Sequence, residues 1–127
     1  MTELPPPGSP ARRFADEMTV AAGVPVRAEP GRLMFDMLAV DGALAGQMVE
    51  TGVSLSEVQN WPQVPPHWVH LPDTVVFETT TSDTNDCPPG WKRHSREFAF
   101  TDTSVPPATA WLRHVRGLLS LAIAPAA

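Results

Sequence analysis

Tyrosine is absent from this chain and cysteine occurs once, at Cys87. A lone thiol excludes an internal disulfide framework and leaves no basis for a structural zinc held by several thiolates. Charge is sparse as well: 18 % of residues are charged and the net charge is −5, which argues against a broad basic face for nucleic-acid phosphates. Long apolar runs are missing; the longest, Leu118 to Ala126, carries a serine and a proline and is too short to cross a bilayer. No charged-then-apolar leader opens the chain, so a cytoplasmic protein is the expectation. What is plentiful is proline, 15 in 127 residues, which excludes a continuous helical bundle and breaks the chain into short elements. With 43 % hydrophobic residues this is a folding chain, and its length fits one domain.

The pattern along the chain predicts an α+β domain. Residues 1–10 are proline-rich and read as a flexible lead-in to a single domain over 11–127. Ala11 to Ala22 suits a short helix with Phe14 and Met18 on one side, ended by Gly23 and Pro25. Arg12 and Arg13 fall in its first turn, where the helix dipole disfavours cations, and they read either as solvated arginines or as contact residues for a partner. From Val24 onward the pattern is strand-like. Arg32 to Val40 is mostly apolar, Asp41-Gly42 is a tight-turn dipeptide, and Leu44 to Glu50 reads as the returning strand of a meander. Thr51 to Ser56 is read as a third strand or the loop that leaves the meander.

Residues 60–73 change character, with prolines that rule out an interior strand over Pro62 to Pro66 and with Trp61 and Trp68 to pin the segment to a core. Thr74 to Thr80 reads as a further strand, residues 79–86 as a polar loop, and Glu97 to Phe100 as a short strand. The closing element is an amphipathic helix. Trp111, Leu112, Val115, Leu118, Leu119, Ala122 and Ile123 recur at helical spacing, with Thr103 or Ser104 available as cap. All four tryptophans are expected to be largely buried.

Chemistry-bearing residues are few. His67 and His70 are placed to point to opposite faces of an extended segment, so no metal site is predicted. Gly-rich phosphate loops and paired inward carboxylates do not stand out, and no cofactor is implied. Cys87 is the nucleophile to consider: it sits in a polar loop, with Asp86 acting to raise its pKa and Lys92, Arg93 and His94 acting to lower it.

Taken together, Trp61-Pro62 with Pro65-Pro66, the strand that follows, the loop around Cys87 and the amphipathic C-terminal helix resemble the ubiquitin-conjugating-enzyme-like (UBC-like) family. In that family a Tyr-Pro-x-x-Pro-Pro segment leaves the meander before an active-site flap; here tryptophan replaces the tyrosine. The catalytic cysteine of the family follows the proline pair at about the remove at which Cys87 follows Pro66. The stretches Trp68 to Asp73 and Gly90-Trp91-Lys92-Arg93-His94-Ser95-Arg96 look most like the divergent bacterial branch, found beside bacterial ubiquitin-like proteins and activating enzymes. The resemblance spans residues 24–124, with its specificity in two short motifs. One departure is plain: the family's His-Pro-Asn tripeptide, whose asparagine supports the oxyanion, is missing.

The resemblance implies a transferase acting through a Cys87 thioester, with Asn85 as the available oxyanion donor and His94 or Asp86 as acid–base. It implies a ubiquitin-like protein and an activating enzyme as partners, neither nucleic acid nor membrane, and a setting of protein tagging or antiviral defence. A catalytically inactive adaptor of the same fold, binding those partners without covalent chemistry through the meander and the Arg12–Arg13 helix, is the alternative. A third reading is an unrelated small structural α+β domain.

Overall fold

The computed structural model describes residues 2–78, 80–96, 98 and 104–124. Helix α1 spans Pro10–Ala22; Ser9 caps it by accepting from the Arg12 N–H, and Gly23 ends it in the left-handed conformation at φ 75°. Strands β1 (Arg27–Glu29), β2 (Arg32–Leu38) and β3 (Met48–Ser54) form an antiparallel meander. The chain then crosses over through a short 3-10 helix at Leu55–Val58 and the proline segment, where the Trp61–Pro62 peptide is cis. It returns as β4 (Trp68–Pro72). Strand β5 (Val76–Phe77) leaves the main sheet, while β6 (Thr81–Asp83) and β7 (Trp91–Ser95) rejoin it. Helix α2 (Pro107–Leu119) and strand β8 (Ala122–Ala124) close the described chain. The main sheet has six strands in the order β1-β2-β3-β4-β7-β6, all antiparallel, and β5 pairs with β8 in a second, two-stranded sheet. The protein is therefore an α+β domain of two helices on an antiparallel sheet.

Register decides which side chains share a face, because directly opposed residues point the same way and successive residues alternate. Leu33, Phe35 and Met37 lie opposite Val53, Thr51 and Val49, and Val69 lies opposite His94; this face packs on the helices. Its centre is aromatic: the Phe14 ring stands edge-on to Trp61 at 4.9 Å and to Trp111 at 5.6 Å, and Phe35 meets Trp111 at 6.1 Å. The Trp111 indole N–H donates to the Pro66 carbonyl at 3.2 Å, so α2 holds the crossover against the sheet. The other face carries one continuous row of side chains: Met34, Gly52, His70, Arg93 and Asp83 oppose one another across five strands.

Several expectations are corrected. The returning strand starts at Met48 rather than Leu44, because Gly42–Leu44 form a 3-10 turn that buries Leu44. Gly42 sits at φ +79° against the backbone of Ser120, so this turn docks on the end of α2. Ala122 and Ile123 do not extend the helical stripe. The Ser120 N–H bonds the Arg116 carbonyl, its hydroxyl bonds that of Gly117, and the chain turns into β8. The N-cap of α2 is Pro106 rather than Ser104, while Thr103 lies outside the described residues. Residues 81–83 are a strand within the expected polar loop, and the expected strand over Thr74 to Thr80 contracts to Val76–Phe77. The Glu97–Phe100 strand falls mostly outside the described residues. Trp61 and Trp111 are buried as expected, but Trp68 and Trp91 are only half-buried, for a reason that belongs to the site. Within residues 2–10, Leu4 packs on the core and the Pro5 carbonyl accepts from Arg12.

Candidate functional site around Cys87

The segment between β6 and β7 makes two successive tight turns. The Cys87 N–H bonds the Thr84 carbonyl at 3.2 Å, and the Trp91 N–H bonds the Pro88 carbonyl at 3.2 Å. In the first turn Asp86 adopts φ 59°, a conformation Asp tolerates better than most residues. In the second, Pro89 and Gly90 (φ 90°) supply the fixed φ and the left-handed residue such a turn requires. The Gly90 carbonyl also accepts from the Asp73 N–H at 2.9 Å. These bonds bring the hairpin loop back over the sheet face opposite the one that packs on α1 and α2.

There the Cys87 Sγ lies 3.6 Å from His70 Nδ1. The thiol is half-buried and His70 wholly so, and His70 Nε2 is buried with no partner among the described residues. Burial, aided by the Arg32 and Arg93 charges, pushes His70 down to about 4. Burial pushes the Cys87 thiol up; Arg32 and Arg93 oppose that shift, and Asp83 and Asp86 reinforce it. At pH 7 the pair is a neutral thiol beside a neutral imidazole.

Two arginines on flat rings frame the pair. Arg93 lies over Trp68 at 4.1 Å, its Nε donating to Asp83 at 2.7 Å and its Nη1 lying 3.6 Å from Asp86. Arg32 lies over Trp91 at 4.5 Å and bonds Glu29 at 2.6 Å. This explains the half-buried Trp68 and Trp91: each roofs or floors an arginine on the polar face instead of filling the apolar core. Beside the thiol, a cleft of about 280 Å³ is lined by Asp73, Cys87, Pro88, Gly90, Trp91 and Lys92. A second hollow, about 340 Å³, is lined by Glu57, His67, Trp68, Asp86 and Arg93.

Of the residues expected from sequence, Cys87, Asn85 and Asp86 share this loop. The Asn85 N–H is held by the Asp83 carboxylate at 2.9 Å, and the Asp86 carboxylate faces Arg93. His94 is corrected: it lies on the helix-packed face opposite Val69, its Nδ1 3.1 Å from the Thr80 hydroxyl and its ring on Phe77, and burial holds it down at about 4. The sheet separates it from the thiol. The histidine at the sulfur is His70, weighed from the sequence only as a metal ligand and not as a partner of the thiol. Its signal was the alternation of apolar Val69 and Leu71 with Trp68, His70 and Pro72, which sets His70 on the second face. Arg12 and Arg13 pair along α1 with Asp16 and Glu17. Arg13 also borders a groove of about 570 Å³ between α1 and the start of α2.

Among the described residues no group of three or more His, Cys, Asp or Glu side chains is placed to hold a metal ion. Among the described residues, too, no helix is long and apolar enough to cross a membrane. Comparison with known proteins brings no match: no family model fits the chain, and no curated protein or solved structure is significantly similar to it.

Proposed function

We propose that the chain is a ubiquitin-conjugating-enzyme-like protein of a bacterial ubiquitin-like conjugation pathway, and that Cys87 accepts the C-terminus of a ubiquitin-like modifier as a thioester. The observation that carries this reading is the Cys87–His70 contact of 3.6 Å beside an open cleft. An N-terminal helix, an antiparallel meander, a crossover through Trp61-Pro62 and Pro65-Pro66, and a closing helix bonded to that crossover support it. In the transfer, the Cys87 thiol, hydrogen-bonded at His70 Nδ1, attacks the acyl carbon of the activating enzyme's thioester, and its proton ends on the departing sulfur. The carbon–sulfur bond to that enzyme breaks, and its sulfur leaves and takes up a proton. An acceptor amine or hydroxyl then attacks the Cys87 thioester and restores the thiol.

A second reading, a non-covalent adaptor for the same partners, draws on the upward shift of the thiol and on the missing His-Pro-Asn tripeptide. One experiment separates the two. The protein is incubated with an activating enzyme, a ubiquitin-like protein and ATP, and the products are run with and without reducing agent. A thiol-labile adduct, absent from Cys87→Ala and converted to a stable ester in Cys87→Ser, is the result expected. A stable complex that Cys87→Ala leaves intact, with no adduct formed, overturns the transfer reading in favour of the adaptor.

A further inference from the structure

The face bearing Cys87 holds two guanidinium groups, Arg32 buried and Arg93 half-buried, and their surroundings differ. Arg93 is surrounded by carboxylate: Asp83 takes its Nε and Nη2, and Asp86 approaches its Nη1. Arg32 has one carboxylate, Glu29, at Nη2, and its Nη1 is buried with no partner among the described residues. The residue is only 4 % exposed, and its guanidinium is clamped over Trp91, a wall of the cleft at the thiol. A buried donor without an acceptor is rare in folded proteins and points to a charge kept for its field.

The charged and titratable groups acting on the sulfur come from every element around it. They are Arg32 on β2, Arg93 on β7, Asp83 on β6 and Asp86 in its own loop, with His70 on β4 in contact and Asp73 and Lys92 lining the cleft beside the thiol. Arg93 arrives together with the two carboxylates that neutralise it. The counter-ion of Arg32 is the single carboxylate of Glu29, whose side chain is 43 % exposed. We propose that Arg32 is a positioning residue for Cys87, a fixed buried cation whose field favours negative charge on the sulfur and, during attack, on the acyl oxygen. The inference rests on the preceding reading only in taking Cys87 as the reacting group.

The test is the rate of Cys87 alkylation by iodoacetamide as a function of pH, on the full chain, with Cys87→Ser as blank. Arg32→Met moves the profile upward and slows alkylation near neutral pH by about tenfold, the effect of removing one nearby opposite charge. Arg32→Lys keeps the cation and recovers most of the rate. A folded Arg32→Met protein with the wild-type profile overturns the proposal, as do Lys and Met variants shifted alike, which would mean packing under Trp91 alone. If Arg32→Met does not fold, the native wild-type protein decides. An adjacent cation raises the iodoacetate-to-iodoacetamide rate ratio above that of the urea-unfolded chain, and an equal or lower ratio overturns the proposal. A shifted Met profile with no thioester formed keeps the role of Arg32 and removes the transfer reading; a thioester with an unshifted profile does the reverse.

Discussion

Acid should unfold this protein well above the range in which carboxylates titrate. Burial holds His70, His94 and His114 down at about 4, each from an ordinary 6.5. The neighbouring cations add to it: Arg32 and Arg93 at His70, Lys92 at His94, and Arg96 at His114. The sign follows from proton uptake. Between pH 6.5 and 4 the unfolded chain binds protons that the folded chain refuses, so the stability these groups contribute is complete above 6.5 and drains away as the pH falls. At pH 5 each histidine costs about 2 kcal/mol, and the three together about 5–6 kcal/mol, as much as the whole stability of many small domains. The assay is urea denaturation followed by tryptophan fluorescence at steps from pH 7.5 to 5. His70→Gln and His94→Gln should each remove about a third of the slope, whatever they do to stability at neutral pH. A midpoint that stays level from pH 7 to 5, or variants that keep the full wild-type slope, would refute the reasoning. Asp83 acts in a lower window: the Arg93 hydrogen bond holds its carboxyl below the usual value of 3.8, so its contribution is lost only as the pH falls past that.

Gly42→Ala should cost more than Gly46→Ala. Both glycines have positive φ, which costs an alanine about 1–2 kcal/mol, but a Cβ at Gly42 would strike the Ser120 backbone whereas one at Gly46 meets nothing within 4 Å. The excess, about 1–3 kcal/mol by chemical denaturation, measures the docking of the turn on the end of α2, and equal costs would mean that the contact carries no energy. Trp111→Ala should cost about 3–5 kcal/mol and drop the thermal midpoint sharply, while Trp111→Phe should cost less but still leave the Pro66 carbonyl without its buried donor.

What could be read from the chain was whatever rests on periodicity or on a residue with one conformational use. Phe14 and Met18, Trp111 and Val115, and the Gly23 stop are where the spacing puts them, and the loop carrying Asn85, Asp86 and Cys87 lies between turns that Asp86, Pro89 and Gly90 mark out. Strand β6 was hidden because Thr81–Asp83 is an exposed edge strand, held by its backbone ladder to β7 and needing no apolar face. Strand β8 was hidden because Ala122 and Ile123 happen to prolong the helical spacing past Ser120. The pairing of His70 with Cys87 depends on the loop between β6 and β7 reaching back to β4, 17 residues away in sequence, and a contact at that separation leaves no trace in the local pattern of a single sequence.

The same sheet solves two problems on its two faces. The helix-packed face follows the ordinary rule, with Leu33, Phe35, Val53, Val69 and Leu71 closing on Phe14, Trp61 and Trp111. The second face is covered nearly as well at Arg32, Met34 and His70, yet it is built from arginines, a histidine and half-buried tryptophans. Desolvating those groups costs free energy that a layer of leucines would not. Only part of it is recovered: Arg93 is paired and stacked, whereas Arg32 Nη1 and His70 Nε2 have no partner among the described residues. Gly52 adds to the pattern, because a Cβ there would run into Met34 Sδ, and its absence lets that side chain lie flat in the row beside His70. A face that served packing alone would have no use for this arrangement. Its unmatched groups lie around the one thiol in the chain, and that arrangement is the physical ground of the proposal made for Cys87.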